Sequence, residues 1–166
     1  MSLEPVVALL QRVDLFSGLD PVRLEVVAFT CERREYAPGD TLFEPGEEAD
    51  CAWLILHGEA AMLADRDNGQ PRALRLDTGD LIGETALFNR ERRRTRVRAV
   101  TRLETLRIGR DMFQRLLGEF PEMAGAVAAR IAERLDDAGT ELRALQSRLA
   151  RSGKIGGEEP EGGKDE

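Results

Sequence analysis

The residues best suited to chemistry lie in the segment GDLIGETALFNRERRRTRVRA, residues 79–99. Gly83 carries no side chain and lets a ligand approach the backbone, and the adjoining ETALF predicts one helical turn whose free N–H groups face an anion. Glu84 can accept a hydrogen bond from a sugar hydroxyl, and a later arginine can grip a phosphate through its planar guanidinium. The segment therefore predicts a site for a phosphorylated sugar.

The rest of the sequence shows no catalytic machinery. The single histidine, His57, ends the apolar run WLILH without an acid or base partner beside it, so we predict a structural role. Cys31 and Cys51 lack zinc-site spacing and a neighbouring histidine, which predicts buried, reduced thiols. There is no G-x-S-x-G turn, Walker loop or G-x-G-x-x-G. We expect a protein that is not an enzyme and needs no metal or cofactor.

Length and composition fit one globular domain with an appendage. The chain has 166 residues, of which 42% are hydrophobic, enough to bury a core. The net charge is -7, with 31 acidic against 24 basic residues, which argues against a DNA-binding surface that extends over the whole molecule. No apolar stretch approaches the roughly 20 residues needed to span a bilayer. We therefore expect a cytoplasmic protein that binds neither membrane nor DNA directly.

The N-terminal segment predicts two short helices that pack against the rest of the domain. Ser17 and Gly18 break the first helix, whereas Asp20 and Pro21 cap and begin the second. The apolar residues expected to make this contact are Leu10, Val13, Leu15, Phe16, Leu24 and Val27.

From Glu35 to Gly109 the sequence is typical of an all-β sandwich or barrel. Short apolar runs are separated by glycine-containing turns about every 8 to 12 residues. Asn68 and Gly69 form the strongest hairpin signal, because both residues tolerate the positive φ of a type I′ turn.

After Gly109 the pattern becomes helical again. We predict that Asp111 caps a short helix and that Pro121 lies in the first turn of a longer one. Apolar residues then recur in alternating steps of three and four, which predicts a helix that self-associates: Ala128, Ile131, Leu135, Ala138, Leu142, Leu145 and Leu149. The predicted divisions are 1–120 for the β domain, 121–151 for the helix and 152–166 for a disordered acidic tail.

The order of these features resembles the phosphate-binding cassette of cyclic nucleotide-binding domains, of the catabolite activator and protein kinase A regulatory subunit type. Residues 82–87, IGETAL, match the first half of the cassette, and Val97 and Ala99 match its closing strand. That register places Arg93 on the phosphate-gripping arginine. The resemblance continues upstream at the glycine turns of the family: Pro38-Gly39, Gly46-Glu47, Gly58 and Gly79-Asp80.

The resemblance implies a mainly β fold with flanking helices. The expected fold is a double-stranded β-helix, a jelly-roll-like β-roll of eight antiparallel strands, with N-terminal helices and a long C-terminal helix. The implied ligand is cyclic AMP or cyclic GMP, read out by movement of that helix in a homodimer that signals to a downstream protein. A helix-turn-helix domain is not expected, because the polar tail is too short to form one.

The resemblance also assigns residues. Those implied at the phosphate and ribose are Gly83, Glu84, Thr85, Ala86, Arg93, Arg94 and Thr95. Those implied near the base are Ala138, Gly139 and Thr140. Those implied in the dimer seam are Ile131, Leu135, Ala138, Leu142, Leu145 and Leu149.

The cassette departs from the family pattern around the arginine, and alternatives stay open there. The family has Pro-Arg-small-Ala where this chain has Arg92, Arg93, Arg94 and Thr95. Arg94 either contacts the phosphate as a second cation or fills the pocket in which the phosphate would bind. A shifted register would instead make Arg94 the phosphate-binding arginine. The second hypothesis is a degenerate, nucleotide-free cassette that serves as a dimerisation or interaction module. A third is non-specific nucleic-acid binding through residues 90–98, although strand alternation sends Arg96 and Arg98 to solvent.

Overall fold

A computed structural model describes residues 2–65 and 71–133 of the chain. Its helices are α1 (Glu4–Arg12), α2 (Pro21–Thr30) and α3 (Arg110–Glu119), followed by helical residues 121–133, with 3-10 turns at Asp14–Phe16 and Glu84–Leu87. The strands are β1 (Glu32–Tyr36), β2 (Thr41–Phe43), β3 (Glu48–Ala49), β4 (Cys51–His57), β5 (Ala60–Asp65), β6 (Pro71–Leu76), β7 (Leu81–Ile82), β8 (Glu91–Arg92), β9 (Arg96–Ala99) and β10 (Leu103–Gly109).

Both N-terminal helices form, but α1 ends at Arg12, earlier than the break predicted at Ser17 and Gly18, and a 3-10 turn at Asp14–Phe16 follows it. Asp20 is the N-cap of α2, and its side chain accepts a hydrogen bond of 2.9 Å from the backbone N–H of Arg23. Pro21 occupies the first helical position, where its missing N–H is no loss. All six apolar residues predicted to pack are buried: Leu10, Val13, Leu15, Phe16, Leu24 and Val27.

The strands form two antiparallel four-stranded sheets and one short ladder. The first sheet has the order β1-β10-β4-β7 and the second has the order β2-β9-β5-β6, while β3 pairs only with β8. The predicted β-roll with flanking helices is confirmed. Within the described residues there are ten strands instead of eight, because β3 and β8 form a separate two-residue ladder.

Strand β4 is covered on both faces, which explains why its buried positions do not alternate. Its first five residues, 51–55, are all buried, because one face looks into the roll and the other packs under α1. In β10 the buried positions change parity at a bulge between Glu104 and Thr105. Thr105 is fully buried, and its hydroxyl donates to the Arg34 carbonyl at 3.1 Å.

The interior of the roll is a single apolar cluster between the two sheets. Both sheets contribute its buried members: Phe43, Cys51, Trp53, Ile55, Ala60, Leu76, Ile82, Val97, Ala99 and Leu103. Phe43 and Trp53 stack with ring centroids 5.4 Å apart. Because the two rings come from different sheets, this stacking joins the sheets at one end of the cluster.

The prediction for the start of α3 was wrong. The helix begins two residues earlier than expected, at Arg110, with Gly109 as N-cap and without a side-chain cap; Asp111 lies in the first turn. An aspartate there interacts with the positive end of the helix without capping it. Pro121 begins the next helical stretch, as predicted.

The chain divides into two compact units, Met1–Val127 and Ala128–Glu166. Met123 and Val127 are buried. The predicted boundaries at 120 and 151 stay predictions, and so does the predicted tail, which lies outside the described residues. The turn predicted at Asn68 and Gly69 also lies outside them, although β5 and β6 on either side pair antiparallel. No helix of the described part of the chain is long and apolar enough to cross a membrane.

Candidate functional site

The site begins at the turn between β7 and β8. Gly83 has a left-handed backbone, with φ 73° and ψ 32°, and its carbonyl accepts from the Ala86 N–H at 3.1 Å to start the 3-10 turn Glu84–Leu87. Glu84 is half-buried at the first position of the turn. The Thr85 hydroxyl donates to a Glu91 carboxylate oxygen at 2.5 Å. These contacts hold the turn beside β8.

Arg93 is fixed at the end of β8 by its backbone. Its N–H donates to the Glu47 carbonyl, and its carbonyl accepts from the Gly46 N–H, both at 2.8 Å. Only 7% of Arg93 is exposed, although arginine is almost never buried without a partner. Its Nη2 donates to the Cys51 carbonyl at 2.6 Å. The fold thus directs the side chain inward from the surface.

The guanidinium of Arg93 rests on two aromatic rings. Its Cζ lies 4.4 Å from the ring centroid of Phe43 and 5.1 Å from that of Trp53. At these distances the negative ring faces attract the cation. On the other side the guanidinium fills the space left by Gly83: a Cβ built on that glycine would lie less than 3.0 Å from Nη1 and 3.5 Å from Cζ.

Arg93 has no close carboxylate partner in the described part of the chain, and more distant charges, Asp50 and Glu91 among them, favour its charged form. Among the described residues, no carboxylate forms an ion pair of 4.0 Å or less with it. Burial lowers the pKa of Arg93 from its ordinary value, because the charged form has lost water. A carbonyl and two aromatic faces support the guanidinium without cancelling its charge. The site therefore holds a fixed, buried cation.

A cavity of about 290 Å³ opens beside this cation. Five of the predicted residues line it: Gly83, Thr85, Arg93, Arg94 and Thr95. Of the other two, Glu84 and Ala86 lie in the same turn but not in the lining, and Ala86 is fully buried. Arg94 is exposed, so it lines the cavity without being buried in it.

Four further lining residues were not predicted as site residues: Phe43, Met62, Glu91 and Arg92. Phe43 and Met62 belong to different strands of the second sheet, and in the sequence they look like ordinary core residues. Glu91 and Arg92 lie inside the cassette, so their position was the only signal in the sequence. Glu91 places a carboxylate at the cavity, next to the predicted phosphate position.

The remaining arginines of β9 behave partly as predicted. Val97 and Ala99 face the core and Arg98 is exposed. Arg96 is only half-buried, however, because its Nε donates to a Glu44 carboxylate oxygen at 2.5 Å. This ion pair removes one cation from the surface that the nucleic-acid hypothesis requires.

The other candidate residues lie away from the cavity. His57 is exposed at the end of β4. Cys51 is buried, but Cys31 is only half-buried. The prediction of buried thiols is therefore confirmed for Cys51 and wrong for Cys31. Burial raises the pKa of Cys31 to about 12 and that of Cys51 to about 11, which makes both poor nucleophiles. In the described ranges no His, Cys, Asp and Glu cluster could hold a metal ion.

Most of the C-terminal predictions fall beyond the part of the chain that the structure describes. Ile131 is half-buried in helical residues 121–133. The predicted base-facing residues and the other seam residues lie outside the described ranges: Leu135, Ala138, Gly139, Thr140, Leu142, Leu145 and Leu149.

Fold and site together define a ligand-binding β-roll in which a glycine-led turn and a buried arginine face one small cavity. Residues 33–120, just over half of the chain, match the family model described as "Cyclic nucleotide-binding domain". The chain belongs to the cyclic nucleotide-binding domain family.

Named relatives agree with this assignment. The chain is 31% identical over 139 residues to the cyclic AMP receptor protein of Thermus thermophilus, covering 83% of this chain and 64% of that one. It is 32% identical over 109 residues to a cAMP-dependent protein kinase regulatory subunit of Hypocrea atroviridis, covering 66% of this chain and 23% of that one. It therefore spans under two thirds of one relative and about a quarter of the other.

A solved structure shows the same fold. The N-terminal domain of a transcriptional regulator from Streptomyces coelicolor A3(2) superposes with a TM-score of 0.75 at 28% identity, covering 78% of this chain and 94% of that one.

Proposed function

We propose that this chain is a regulatory sensor domain that binds cyclic AMP or cyclic GMP in the cavity beside Arg93. One observation carries the proposal: Arg93 is more than nine-tenths buried, carries no ion pair within the described residues, and lines a cavity next to a glycine-led turn. An unpaired buried charge destabilises a fold, so a retained one suggests an anionic partner.

The residues divide the recognition chemistry between them. Arg93 would bind the cyclic phosphate, since a guanidinium donates several N–H groups in a fixed plane. The backbone N–H groups at the start of the turn Glu84–Leu87 would add donors to the phosphate, and Glu84 would accept from the ribose hydroxyl. Thr95 and Arg94 line the same cavity and offer a hydroxyl and a second cation.

Calorimetric titration of the full chain with cyclic AMP, cyclic GMP and linear 5′-AMP tests the proposal. A specific ligand at 100 times its Kd should stabilise the fold by about 2.7 kcal/mol. Arg93→Met should weaken binding about tenfold or more, since hydrogen bonds to charged groups contribute about 1.5–3 kcal/mol. The matched control is Arg98→Met, an exposed arginine that lies outside the cavity lining. Absence of binding by either cyclic nucleotide would overturn the proposal.

The Arg93→Met variant also reports on its own folding. It removes the cost of burying a cation, but it also removes the hydrogen bond to the Cys51 carbonyl and the contacts with the two rings. Because these effects oppose each other, we expect the unliganded variant to stay folded, with a free energy of unfolding within about 3 kcal/mol of the wild type. If Arg93→Met loses nucleotide binding but stays folded, then Arg93 contacts the ligand and is not needed only for the fold.

A second candidate is a nucleotide-free cassette that acts as an interaction module. The observation that favours it is that Arg93 already has a carbonyl acceptor and two aromatic faces, and that Glu91 adds a negative charge at the cavity. Under this hypothesis neither cyclic nucleotide changes the unfolding temperature of the wild type, and Arg93→Met leaves self-association unchanged.

We propose further that the signal leaves through the C-terminal helix and that the chain forms a homodimer. Pro121 begins the helix close to the domain, and the seam sequence continues from Ile131 in heptad steps. Sedimentation of the full chain with Leu142→Glu and Leu145→Glu tests the seam, since two charges at heptad core positions should dissociate it. A dimer that survives both changes would contradict this arrangement.

A further inference from the structure

A second, larger cavity adjoins the first on the side of the β3–β8 ladder. Its volume is about 450 Å³, and its lining consists of Glu48, Ala49, Arg90, Glu91, Arg92 and Arg110. Glu91 and Arg92 line both cavities, so the two spaces share a wall. The family assignment and the proposed function leave this second cavity without a role.

Two of its arginines are held in place by backbone carbonyls. Nη1 of Arg110 donates to the Ala49 carbonyl at 2.9 Å and to the Asn89 carbonyl at 3.2 Å. Nη1 of Arg92 donates to the Gly46 carbonyl at 2.9 Å. Both guanidinium groups are thus partly ordered before any ligand arrives, which reduces the entropy lost on binding.

Among the described residues, the three arginines of this cavity form no close ion pair, although Glu48 lies opposite Arg92 in the β3–β8 ladder. No carboxylate of the described residues lies within 4.0 Å of Arg90, Arg92 or Arg110. Other arginines of the fold are neutralised in ion pairs, for example Arg96 with Glu44 at 2.5 Å. Three arginines against two glutamates leave the cavity lining with a net positive charge in a chain of net charge -7, which favours an anion.

The two carboxylates of the cavity specify the ligand further. Glu48 and Arg92 are opposite each other in the β3–β8 ladder, and the Glu91 carboxylate accepts from Thr85. Carboxylates repel a bare phosphate but accept hydrogen bonds from hydroxyl and amino groups. Cations next to such acceptors suit a nucleotide, which presents a phosphate together with sugar hydroxyl groups and base amines.

We propose that this second cavity binds a second nucleotide unit of the same ligand, so that the chain prefers a cyclic dinucleotide to a cyclic mononucleotide. The inference rests on the proposed function of the Arg93 cavity, which takes the first unit. One ligand would occupy both spaces by lying across Glu91 and Arg92, which line both of them.

Calorimetry on the full chain tests this with cyclic di-GMP and cyclic di-AMP against cyclic GMP and cyclic AMP at one fixed salt concentration. The dinucleotide should bind at least about tenfold more tightly than the mononucleotide with the same base, the gain expected from one additional charged contact. Arg90→Glu should remove that advantage and leave mononucleotide affinity unchanged. Arg98→Glu is the matched control, since it makes the same change in net charge outside both cavity linings.

The outcomes separate the two proposals. Mononucleotide binding that depends on Arg93, without a dinucleotide advantage, overturns the second cavity and leaves the sensor function standing. An advantage that survives Arg90→Glu, or two free mononucleotides bound per chain, also overturns it. Dinucleotide binding that Arg90→Glu abolishes and Arg93→Met leaves unchanged would overturn both proposals, because the ligand would then lie in the second cavity alone. Absence of binding by every nucleotide overturns both.

Discussion

Substituting Gly83 by alanine tests whether the Arg93 guanidinium needs the space that the missing side chain of Gly83 leaves. The change has two effects on the fold. Gly83 has φ 73°, and an L-residue in the left-handed region costs about 1–2 kcal/mol. In addition, the new Cβ would lie less than 3.0 Å from the Arg93 Nη1, a separation that real Cβ atoms essentially never show. The guanidinium must therefore leave its position.

Gly39→Ala is the matched control for the free-energy cost of placing an L-residue at positive φ. Gly39 also has positive φ, 89°, but a Cβ there would meet nothing within 4 Å. We expect Gly39→Ala to lower the free energy of unfolding by about 1–2 kcal/mol. Gly83→Ala should lose about 1–3 kcal/mol more, because Arg93 gives up its hydrogen bond to Cys51 and its contact with the aromatic rings.

Urea unfolding followed by tryptophan fluorescence measures both effects, because Trp53 is the single tryptophan and its ring centroid lies 5.1 Å from the Arg93 Cζ. The decisive comparison is the double variant Gly83→Ala with Arg93→Met. Removing the guanidinium removes the overlap, so the glycine substitution should then cost no more than at Gly39. Strict additivity of the two changes would refute the steric argument.

Three other perturbations have expected outcomes. Phe43→Leu and Phe113→Leu should each lower stability by about 1–2 kcal/mol, since both remove a buried ring, but only Phe43→Leu should weaken cyclic nucleotide binding in calorimetry. Burial raises the pKa of Cys51 from the ordinary 9.0 to about 11, so the contribution of this thiol to stability is complete below pH 9.0 and is lost as the pH rises toward 11. In urea titrations Cys51→Ala should reduce this loss, and the part due to Cys31, whose pKa is raised to about 12, should remain. Asp20→Ala should lower stability by about 1 kcal/mol in thermal unfolding, through loss of the bond from Arg23, and a change under a few tenths would show that the cap is redundant.

The sequence predicts the framework of the fold where local rules decide it. The cap at Asp20 depends only on neighbouring residues, and α2 begins where expected, whereas α1 ends at Arg12, before the predicted break at Ser17 and Gly18. The alternation of Val97 and Ala99 with arginines predicts which face of β9 is buried, since a strand has a period of two. The start of α3 was missed because an aspartate in the first turn and an aspartate at the N-cap look alike in sequence.

The sequence could predict only those residues of the site that lie close together along the chain. Gly83 and Arg93 are ten positions apart, and the family pattern relates them directly. Phe43 and Trp53 come from other strands and carry no mark that separates them from core residues, so only the sheet pairing shows that they support the guanidinium. Arg110 is farther still, and nothing in its helical context indicates a ligand.

The kind of group that contacts an arginine side chain decides whether the positive charge stays available to a ligand. A carboxylate partner, as at Arg96, fixes the side chain and neutralises it at the same time. A carbonyl oxygen or an aromatic face fixes the side chain and leaves the net charge in place, and these are the partners of Arg93, Arg92 and Arg110. The fold thus orders three cations around adjoining cavities without placing a carboxylate of the described residues in a close ion pair with any of them. Under the proposals above, the phosphate groups of the ligand would supply the charge that these neutral partners leave out.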